Sequence, residues 1–486
     1  MTSPRLRPLA AALAKRAAVE PAETLPAVTV RGSADAGYTV RNTVSATKTE
    51  TPLMETPFSV QVVPQQVLQD QLVNRLEKAL QNVPGVLPFS TNQGLSDGFM
   101  IRGFGSNTTC RDGFFEPDIL GGGSSKGETA NIDRIEVLKG PGSILFGRTE
   151  PGGVINLVTK QPLAQRQTSL QQEVGSYSYY RTTLDSTGPI TRDDTLLYRV
   201  NMSYESTRSF RDFVEDKGTF IAPTLELNIG PRTQATLEFE YQKFDETPDP
   251  GILPLDGRPA SLSKSRVFVE PRSNVNEGDR QMLGLTWSHA FNDSWNLSHR
   301  ITGEQFDLKN LTLSSGELQT DGSLDRFFNN GGDQKSKRLS TALDLTGKFS
   351  TGPLKHTLLI GADYFRVNDK LLGLNCCDAA PAFNFFNRTY NPQSQLFDPA
   401  NNFNLDFRQK WYGLYAQDQI DLPGNLHALI GVRYDNAQGK SDGAITDKDD
   451  RTSPRAGTRG DTRRTRRCNR HPVRRARSAR PSTKWR

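Results

Sequence analysis

Long apolar runs are missing from this sequence. Nowhere do its 486 residues include eighteen or more consecutive apolar residues, so no helix long enough to cross a bilayer is encoded. Hydrophobic residues make up only 35% of the chain. A transmembrane β-barrel is compatible with this composition, because its strands alternate lipid-facing and lumen-facing residues and so keep the average hydropathy low. A soluble β-rich binding protein has similar totals, and composition leaves both classes open.

Residues arranged for catalysis or metal binding are also missing. The five histidines are scattered, no His-Glu-x-x-His occurs, and the four cysteines lack the spacing of a zinc site. Gly439-Lys440-Ser441 lacks the earlier glycine that a phosphate-binding loop requires. We therefore predict that the protein is not an enzyme, needs no cofactor and binds no metal ion directly.

The positive charge is confined to one end of the chain. From Thr458 onward there are twelve Lys and Arg residues and one acidic residue, so this local +11 leaves the rest of the chain at −5 of the total +6. Arg-rich tails can bind nucleic acid or anionic lipid, but Trp485 is the only aromatic residue in this one. We predict no nucleic-acid partner.

The residues after Pro162 alternate between apolar and polar. Leu196, Tyr198, Val200, Met202 and Tyr204 alternate with Leu197, Arg199, Asn201, Ser203 and Glu205, and similar patterns follow near 235–242, 295–301 and 426–434. Such a period of two is typical of strands with one apolar and one polar face. We expect about eleven strands before Asp450, where the pattern stops.

The connections between these strands differ in length. Short links are expected near 188–194, 230–232, 291–293, 350–355 and 421–425, and long ones near 206–216, 245–279, 309–337 and 368–409. Short turns at one rim and long loops at the other are typical of an outer-membrane barrel. Aromatic residues near strand ends fit interfacial girdles, namely Tyr204, Tyr241, Trp287, Trp295 and Tyr364.

A glycine-rich stretch before the alternating region has a different character. Two β-branched runs, at 132–137 and 154–158, flank a segment that contains Gly140, Pro141 and Gly142 and ends at Gly153. This composition predicts a strand, tight irregular turns and a second strand. Further upstream, apolar residues recur at helical spacing and predict a helix within the core, with its stripe formed by Val67, Leu72, Leu76, Ala79, Leu80 and Val83.

The same stretch carries a family resemblance. Ile-Asp-Arg-Ile-Glu-Val-Leu-Lys-Gly-Pro at 132–141, Phe-Gly at 146–147 and Pro-Gly-Gly-Val-Ile-Asn-Leu-Val-Thr-Lys at 151–160 closely resemble the end of the plug domain of TonB-dependent siderophore receptors. Gly98 to Phe104 and Arg111-Asp112-Gly113 resemble further signatures of that family. The resemblance is continuous from about Thr47 to Pro162.

This resemblance implies a mainly β protein in which a small α+β plug sits inside an antiparallel outer-membrane β-barrel. We expect an N-terminal segment at 1–39, the plug at 40–163, a partial barrel at 164–450 and a basic, out-of-frame tail at 451–486. The barrel would then be incomplete in this chain, with about half of the family's 22 strands. Such an open sheet would expose unpaired strand edges to lipid, which is very unfavourable.

The resemblance also implies roles for single residues. Plug loops that point outward touch the iron chelate in these receptors, and the corresponding candidates here are Asn92, Gln93, Asn107, Phe114 and Phe115. Arg102 and Lys139 match basic positions that face acidic residues of the barrel wall in relatives. Salt bridges within the plug are the alternative for these two. Cys110, Cys376 and Cys377 all fall at the expected outer rim, which suggests a disulfide between plug and loop.

The N-terminal segment holds a stretch where the family carries its TonB box. Its residues are Thr24, Leu25, Pro26, Val28, Thr29 and Val30. An extended segment of this kind pairs with the edge of a sheet in the periplasmic TonB protein through main-chain hydrogen bonds. A plain linker is the alternative. The apolar run at 9–14 is shorter than a secretory signal requires, so the export signal is unconvincing in this chain.

Together these features predict an importer of the Gram-negative cell outer membrane. Its expected partners are a ferric siderophore of the hydroxamate or ferrichrome type, TonB with its inner-membrane energising complex, and outer-membrane lipid. Two alternatives stay open at this point. One is a non-functional truncated receptor remnant, and the other is a TonB-dependent signalling receptor.

Overall fold

The computed structural model describes residues 37–89, 93–106, 109–116, 126–147, 149–269, 274–387 and 402–460. Its strands fall into two groups, a plug between Asn42 and Thr159 and a large sheet, called the wall below, between Gln167 and Gly460. No helix in the described part of the chain is long and apolar enough to cross a membrane.

The plug is built around a five-stranded sheet. The plug strands are β1 (Asn42–Thr43), β2 (Thr51–Pro52), β3 (Ser59–Pro64), β4 (Val86–Pro88), β5 (Phe99–Ile101), β6 (Phe104–Ser106), β7 (Thr109–Arg111), β8 (Phe114–Glu116), β9 (Ile132–Lys139) and β10 (Gly153–Thr159). The helices are α1 (Gln65–Asp70), α2 (Leu76–Leu80) and α3 (Ser143–Phe146). The sheet has the order β3-β9-β10-β7-β8, with β10 and β7 parallel and the other neighbours antiparallel.

The strand, turn and strand predicted around the glycine-rich stretch are confirmed. Strands β9 and β10 are antiparallel neighbours, with Val137 opposite Ile155. Gly140 has a φ of +105°, a left-handed conformation that favours glycine. Both strands carry apolar side chains into the plug core, where Ile135, Val137 and Ile155 are fully buried.

The helix expected from Val67 to Val83 is interrupted. Helix α1 ends at Asp70 and α2 begins at Leu76. Leu72, between them, has a φ of +49° and its side chain is exposed. The helical spacing predicted that Leu72 lies in the core. This prediction is wrong, because the backbone changes direction at Leu72 and turns its side chain outward.

The wall is one antiparallel sheet of twelve strands in sequence order. Its strands are β11 (Gln167–Gly175), β12 (Tyr179–Pro189), β13 (Leu196–Arg208), β14 (Glu215–Ile229), β15 (Thr233–Glu246), β18 (Val275–Ala290), β19 (Trp295–Leu318), β20 (Ser323–Thr351), β21 (Leu354–Ala379), β23 (Phe403–Leu422), β24 (Leu426–Ser441) and β25 (Ala444–Gly460). Three short strands lie outside this order: β16 (Pro254–Leu255), β17 (Arg258–Pro259) and β22 (Phe383–Asn384). The last strand extends to Gly460, ten residues past the expected end of the pattern near Asp450.

The short turns predicted at one rim are confirmed, whereas two of the long links predicted at the opposite rim are wrong in length. Short turns join the strands at 230–232, 291–294, 352–353 and 423–425, as expected. At the opposite rim, however, the long loop expected at 309–337 is wrong, because β19 and β20 continue as a paired ribbon to a turn at 319–322. The link expected at 206–216 likewise shrinks to 209–214, since cross-strand pairing absorbs the polar residues that had indicated loops.

The two faces of the wall are inverted relative to a water-soluble sheet. On β13 the polar Arg199, Asn201 and Glu205 are buried against the plug, whereas Tyr204 on the other face is exposed. The same holds on β15, where Glu238 and Glu240 are buried and Leu237 and Phe239 exposed. A soluble sandwich buries its apolar faces. The wall instead exposes its apolar face, as the strands of outer-membrane barrels do.

Aromatic residues on the outer face form two belts. Near the short-turn rim lie Phe291, Trp287 and Trp295. Eight to ten residues from the short-turn ends of their strands lie tyrosines, with Tyr180 next to Tyr204 and Tyr364 next to Tyr412. A membrane-crossing strand needs about 9–11 residues. The spacing of the belts fits one bilayer, and the strands extend well beyond the second belt.

Placing a charge between these belts gives a direct test of the lipid-facing surface. We expect Leu237→Arg to lower the free energy of unfolding in phospholipid vesicles by about 2–4 kcal/mol, because the guanidinium would enter hydrocarbon. Leu372→Arg is the control, since Leu372 is equally exposed but lies on β21 beyond Tyr364. Urea titrations of both variants that give equal losses would contradict this placement.

Candidate functional site

The candidate site is the seam between plug and wall, which is lined by charged side chains. Plug residues pair with strands all along the sheet, from Lys160 with Asp185 on β12 to Lys48 with Tyr415 on β23. At the last strand, Arg455 stacks its guanidinium over the Phe58 ring of the plug. Because contacts with the plug run from β12 to β25, the wall must wrap around it.

At the centre of the seam is the turn between β7 and β8. Arg111 forms an ion pair with Glu240 of β15, and both side chains are buried. Asn131 donates a second hydrogen bond to the same carboxylate, at 2.7 Å. A buried charge is tolerated when it is paired and hydrogen-bonded, so Glu240 depends on these two plug residues.

Asp112 follows in the same turn and meets Arg300 of β19. The Arg300 guanidinium donates to the Asp112 backbone carbonyl at 2.6 Å and to its carboxylate at 3.2 Å. Thr159 adds hydrogen bonds from its amide and hydroxyl, both at 2.9 Å. Burial alone would raise the pKa of the Asp112 carboxyl, but Arg300, Arg111 and Thr159 outweigh it and lower that pKa. The sequence indicated Asp112 only as part of the Arg111-Asp112-Gly113 signature and did not predict this contact.

Further ion pairs continue the seam toward the long-loop rim. Arg280 bridges Glu116 of the plug and Glu304 of β19. Glu128 of the plug accepts from Arg181 of β12 and, at 2.8 Å, from Ser203 of β13. Burial alone would raise the pKa of Glu128, but Arg181 dominates and lowers it. Buried ion pairs contribute little net stability because desolvation offsets their attraction, so such a seam can hold the plug and still be rearranged.

Below this seam, a buried carboxylate holds residues 43–45 of the plug. Glu136 on β9 is fully buried and accepts hydrogen bonds from the Thr43 hydroxyl at 2.6 Å and the Ser45 amide at 2.9 Å. The Val44 amide, at 3.2 Å, and Arg134, at 2.8 Å, also donate to it. Asn156 of β10 adds a hydrogen bond to the Ser45 hydroxyl at 2.9 Å, so Glu136 provides most, but not all, of the side-chain bonds from the central sheet to this segment.

A cavity of about 480 Å³ lies between plug and wall near the short-turn rim. Polar residues dominate its lining, including Thr236 and Ser298 of the wall and Glu50 of the plug. Phe114 borders this cavity and also two smaller voids deeper in the seam. Arg300 borders the cavity and one of these voids, with its guanidinium 5.1 Å from the centre of the Phe114 ring. Phe114 therefore lies between the cavity and both voids.

The predicted chelate-binding residues fall in different places. Gln93 lies near the long-loop rim, where its carbonyl accepts from the Asp249 amide at 2.8 Å. Phe114 and Phe115 lie deep in the seam, and Phe115 packs against the plug cluster that contains Leu145. Asn92 and Asn107 lie outside the described residues, as does the TonB-box stretch at 24–30. Of the three described candidates, Gln93 lies apart from Phe114 and Phe115, and the role of all five stays a prediction.

Arg102 and Lys139 are close to each other at the surface of the plug. Lys139 donates to Gln61 at 2.7 Å and to the Pro84 carbonyl, both within the plug. Burial and the nearby Arg102 lower the pKa of the Lys139 ammonium. A contact with the barrel wall stays a prediction for both residues. Arg111, Asp112 and Glu116 make the wall contacts that the sequence did not predict. The Arg111-Asp112-Gly113 signature was the sequence signal nearest to them.

Cys110 does not lie at the outer rim. Its side chain is 1% exposed, packs in the plug cluster with Ala46 and Leu138, and is a free thiol. Burial raises its pKa, which disfavours the reactive thiolate. The suggested bridge to Cys376 or Cys377 is therefore wrong for Cys110, because β7 is an inner strand of the plug sheet.

Comparison with known proteins agrees with this architecture. The TonB-dependent receptor plug domain matches residues 52–154, and the TonB-dependent receptor-like β-barrel matches residues 221–459. The chain belongs to the TonB-dependent receptor family. Members of this family are transport receptors rather than enzymes.

Among similar proteins, the metal-pseudopaline receptor of Pseudomonas aeruginosa is 32% identical over 433 residues, which cover 87% of this chain and 60% of the relative. The ferrichrome outer membrane transporter/phage receptor of Escherichia coli K12 is 27% identical over 88% of this chain and 62% of its own length. This chain thus spans about 60% of the curated relatives it matches. The ferripyoverdine receptor of Pseudomonas aeruginosa has the same fold, with a TM-score of 0.76 at 21% identity over 89% of this chain and 58% of that one.

Proposed function

We propose that this TonB-dependent receptor imports a metal–siderophore complex across the outer membrane of a Gram-negative cell. The observation that carries the proposal is the inverted wall, apolar outside and polar inside, around a plug held by ion pairs rather than by an apolar interface. A plug held in this way blocks the lumen and can be moved by an external force. The twelve strands are proposed to be part of a 22-stranded barrel of the plugged outer-membrane type.

Energy is proposed to come from TonB and its inner-membrane complex, through the stretch at 24–30. Pulling on that stretch would act first on residues 43–45 and so on Glu136, the side chain that ties them to the plug sheet. The proposed sequence is binding from outside, exposure of the TonB segment, and movement of the plug along its charged seam.

The cargo is proposed to be a small metal chelate, for which two classes have support. The hydroxamate class follows from the resemblance and from the ferrichrome transporter. The metal-pseudopaline receptor, at 32% identity, supports a metallophore of the pseudopaline class. Uptake of radiolabelled metal by a host without its own siderophore receptors, supplied with ferrichrome or with metal–pseudopaline, tests the two classes directly.

The same assay tests the energy source. We expect uptake of one chelate by cells that make this receptor, loss of that uptake in a host without TonB, and loss after deletion of residues 24–30. Surface binding of the chelate should survive the deletion, because the plug and wall remain. Uptake that continues without TonB, or binding of neither chelate, would overturn the proposal.

A further inference from the structure

A cluster of three potential metal ligands joins the plug to the wall at the short-turn rim. Glu55 comes from the plug segment between β2 and β3, Asp421 from the end of β23, and His427 from the start of β24. One ligand atom from each side chain lies within 4.8 Å of the others. All three residues line the 480 Å³ cavity, so an ion could reach them from the aqueous space at that rim.

Neither Glu55 nor Asp421 has the arginine partner that other carboxylates between plug and wall have. Glu116, Glu128 and Asp112 each pair with an arginine of the wall. Among the described residues, by contrast, no lysine or arginine forms an ion pair with Glu55 or Asp421. Two carboxylates this close repel each other unless a positive charge lies between them.

The neighbouring side chains of Arg459 and Lys355 do not form ion pairs with the two carboxylates. Arg459, opposite His427 in the strand register, donates to the Thr56 carbonyl at 3.0 Å. Lys355, opposite Asp421, forms no ion pair with that carboxylate among the described residues. The positive charge that the cluster requires is therefore not supplied by these side chains.

Two of the candidate ligand atoms are already adjacent. His427 Nδ1 lies 2.7 Å from an Asp421 carboxylate oxygen. A metal ion bound by both atoms would replace the hydrogen bond between them, because a neutral imidazole nitrogen and an ionised carboxylate are the forms that bind metals. One histidine and two carboxylates suit zinc and other first-row divalent ions, with water in the remaining position. Ligand atoms on a tetrahedral zinc ion lie about 3.4 Å apart, so shifts of about 1.4 Å would close the site.

We propose that Glu55, Asp421 and His427 bind a divalent metal ion such as Zn²⁺ and that this ion ties the plug to strands β23 and β24. Glu55 lies in the plug segment between β2 and β3, so the ion would restrain that segment. The proposal does not depend on which chelate is carried, nor on transport itself. The sequence hid this site because Glu55 lies 366 residues before Asp421 along the chain.

Zinc binding to the full chain provides the test. The protein, purified in detergent and stripped with EDTA, would be titrated with ZnCl₂ alone in competition with a colorimetric chelator. We expect one zinc ion whose affinity falls at least tenfold in Glu55→Gln and in His427→Gln. Asp421→Asn, which keeps the side-chain shape, should also weaken binding.

His356→Gln is the matched control. His356 pairs with Asp418 at the same 2.7 Å on the outer face of neighbouring strands, where no plug carboxylate can reach, so this variant should bind zinc as the wild type does. In hydrogen exchange, zinc should slow the amides of residues 53–56 in wild type and in His356→Gln but not in Glu55→Gln. The proposal fails if the wild type binds no zinc, or if Glu55→Gln and His427→Gln bind it unchanged.

Discussion

An Arg111→Met protein should lose about 3–5 kcal/mol of its free energy of unfolding. The substitution keeps much of the side-chain volume but removes the cation opposite Glu240, which is buried in the seam. Removing one partner of a buried pair leaves an uncompensated charge, and that desolvated charge is what destabilises the protein. Asn131 would remain as a hydrogen-bond donor to Glu240 and would recover only part of the loss.

Urea unfolding in detergent micelles, followed by circular dichroism, measures this loss. Lys217→Met serves as the control, because the Lys217–Glu215 pair is half exposed and should contribute less than about 1 kcal/mol. The double variant Arg111→Met/Glu240→Met should recover most of the stability, since an apolar pair replaces the buried charges. If Arg111→Met lowered the free energy of unfolding no more than Lys217→Met does, the seam would not depend on the Arg111–Glu240 pair.

A second large effect is expected at Glu136. Glu136→Ala removes the carboxylate that accepts from Thr43, Val44 and Ser45, and it also leaves Arg134 without its closest acceptor. Unsatisfied buried donors carry a penalty, and Arg134 keeps the Asp133 carboxylate at 3.0 Å, so we expect a loss of about 3–5 kcal/mol. Residues 43–45 should then detach from the plug sheet.

Hydrogen exchange localises that effect. The amides of Val44 and Ser45 should exchange much faster in Glu136→Ala, whereas those of the inner strand β10 should change little. Glu136→Gln keeps one acceptor oxygen and should have an intermediate effect. Glu317→Ala, at an exposed position of β19, should stay within about 0.5 kcal/mol of wild type. Unchanged exchange at Val44 and Ser45 would show that other contacts hold this segment.

The sequence by itself determined the local elements and the family. Alternation of polar and apolar residues on β13 and β15 predicted two-faced strands, and the short turns between them were placed correctly, because both features depend on neighbouring residues. The glycine-rich stretch predicted strands β9 and β10 for the same reason. Alternation could not tell which face is buried, since a period of two is the same for a soluble sheet and for a lipid-facing one.

Only the tertiary structure decided which charged residues meet. Arg111 and Glu240, Asp112 and Arg300, and the ligands Glu55, Asp421 and His427 are brought together from distant parts of the chain by the wrapping of the wall around the plug. The ribbon formed by β19 and β20 was likewise hidden, because polar strand residues beyond the membrane resemble a loop until their partner strand is known. Local sequence specifies strands and turns, whereas contacts across the seam depend on register and closure, which are properties of the whole sheet.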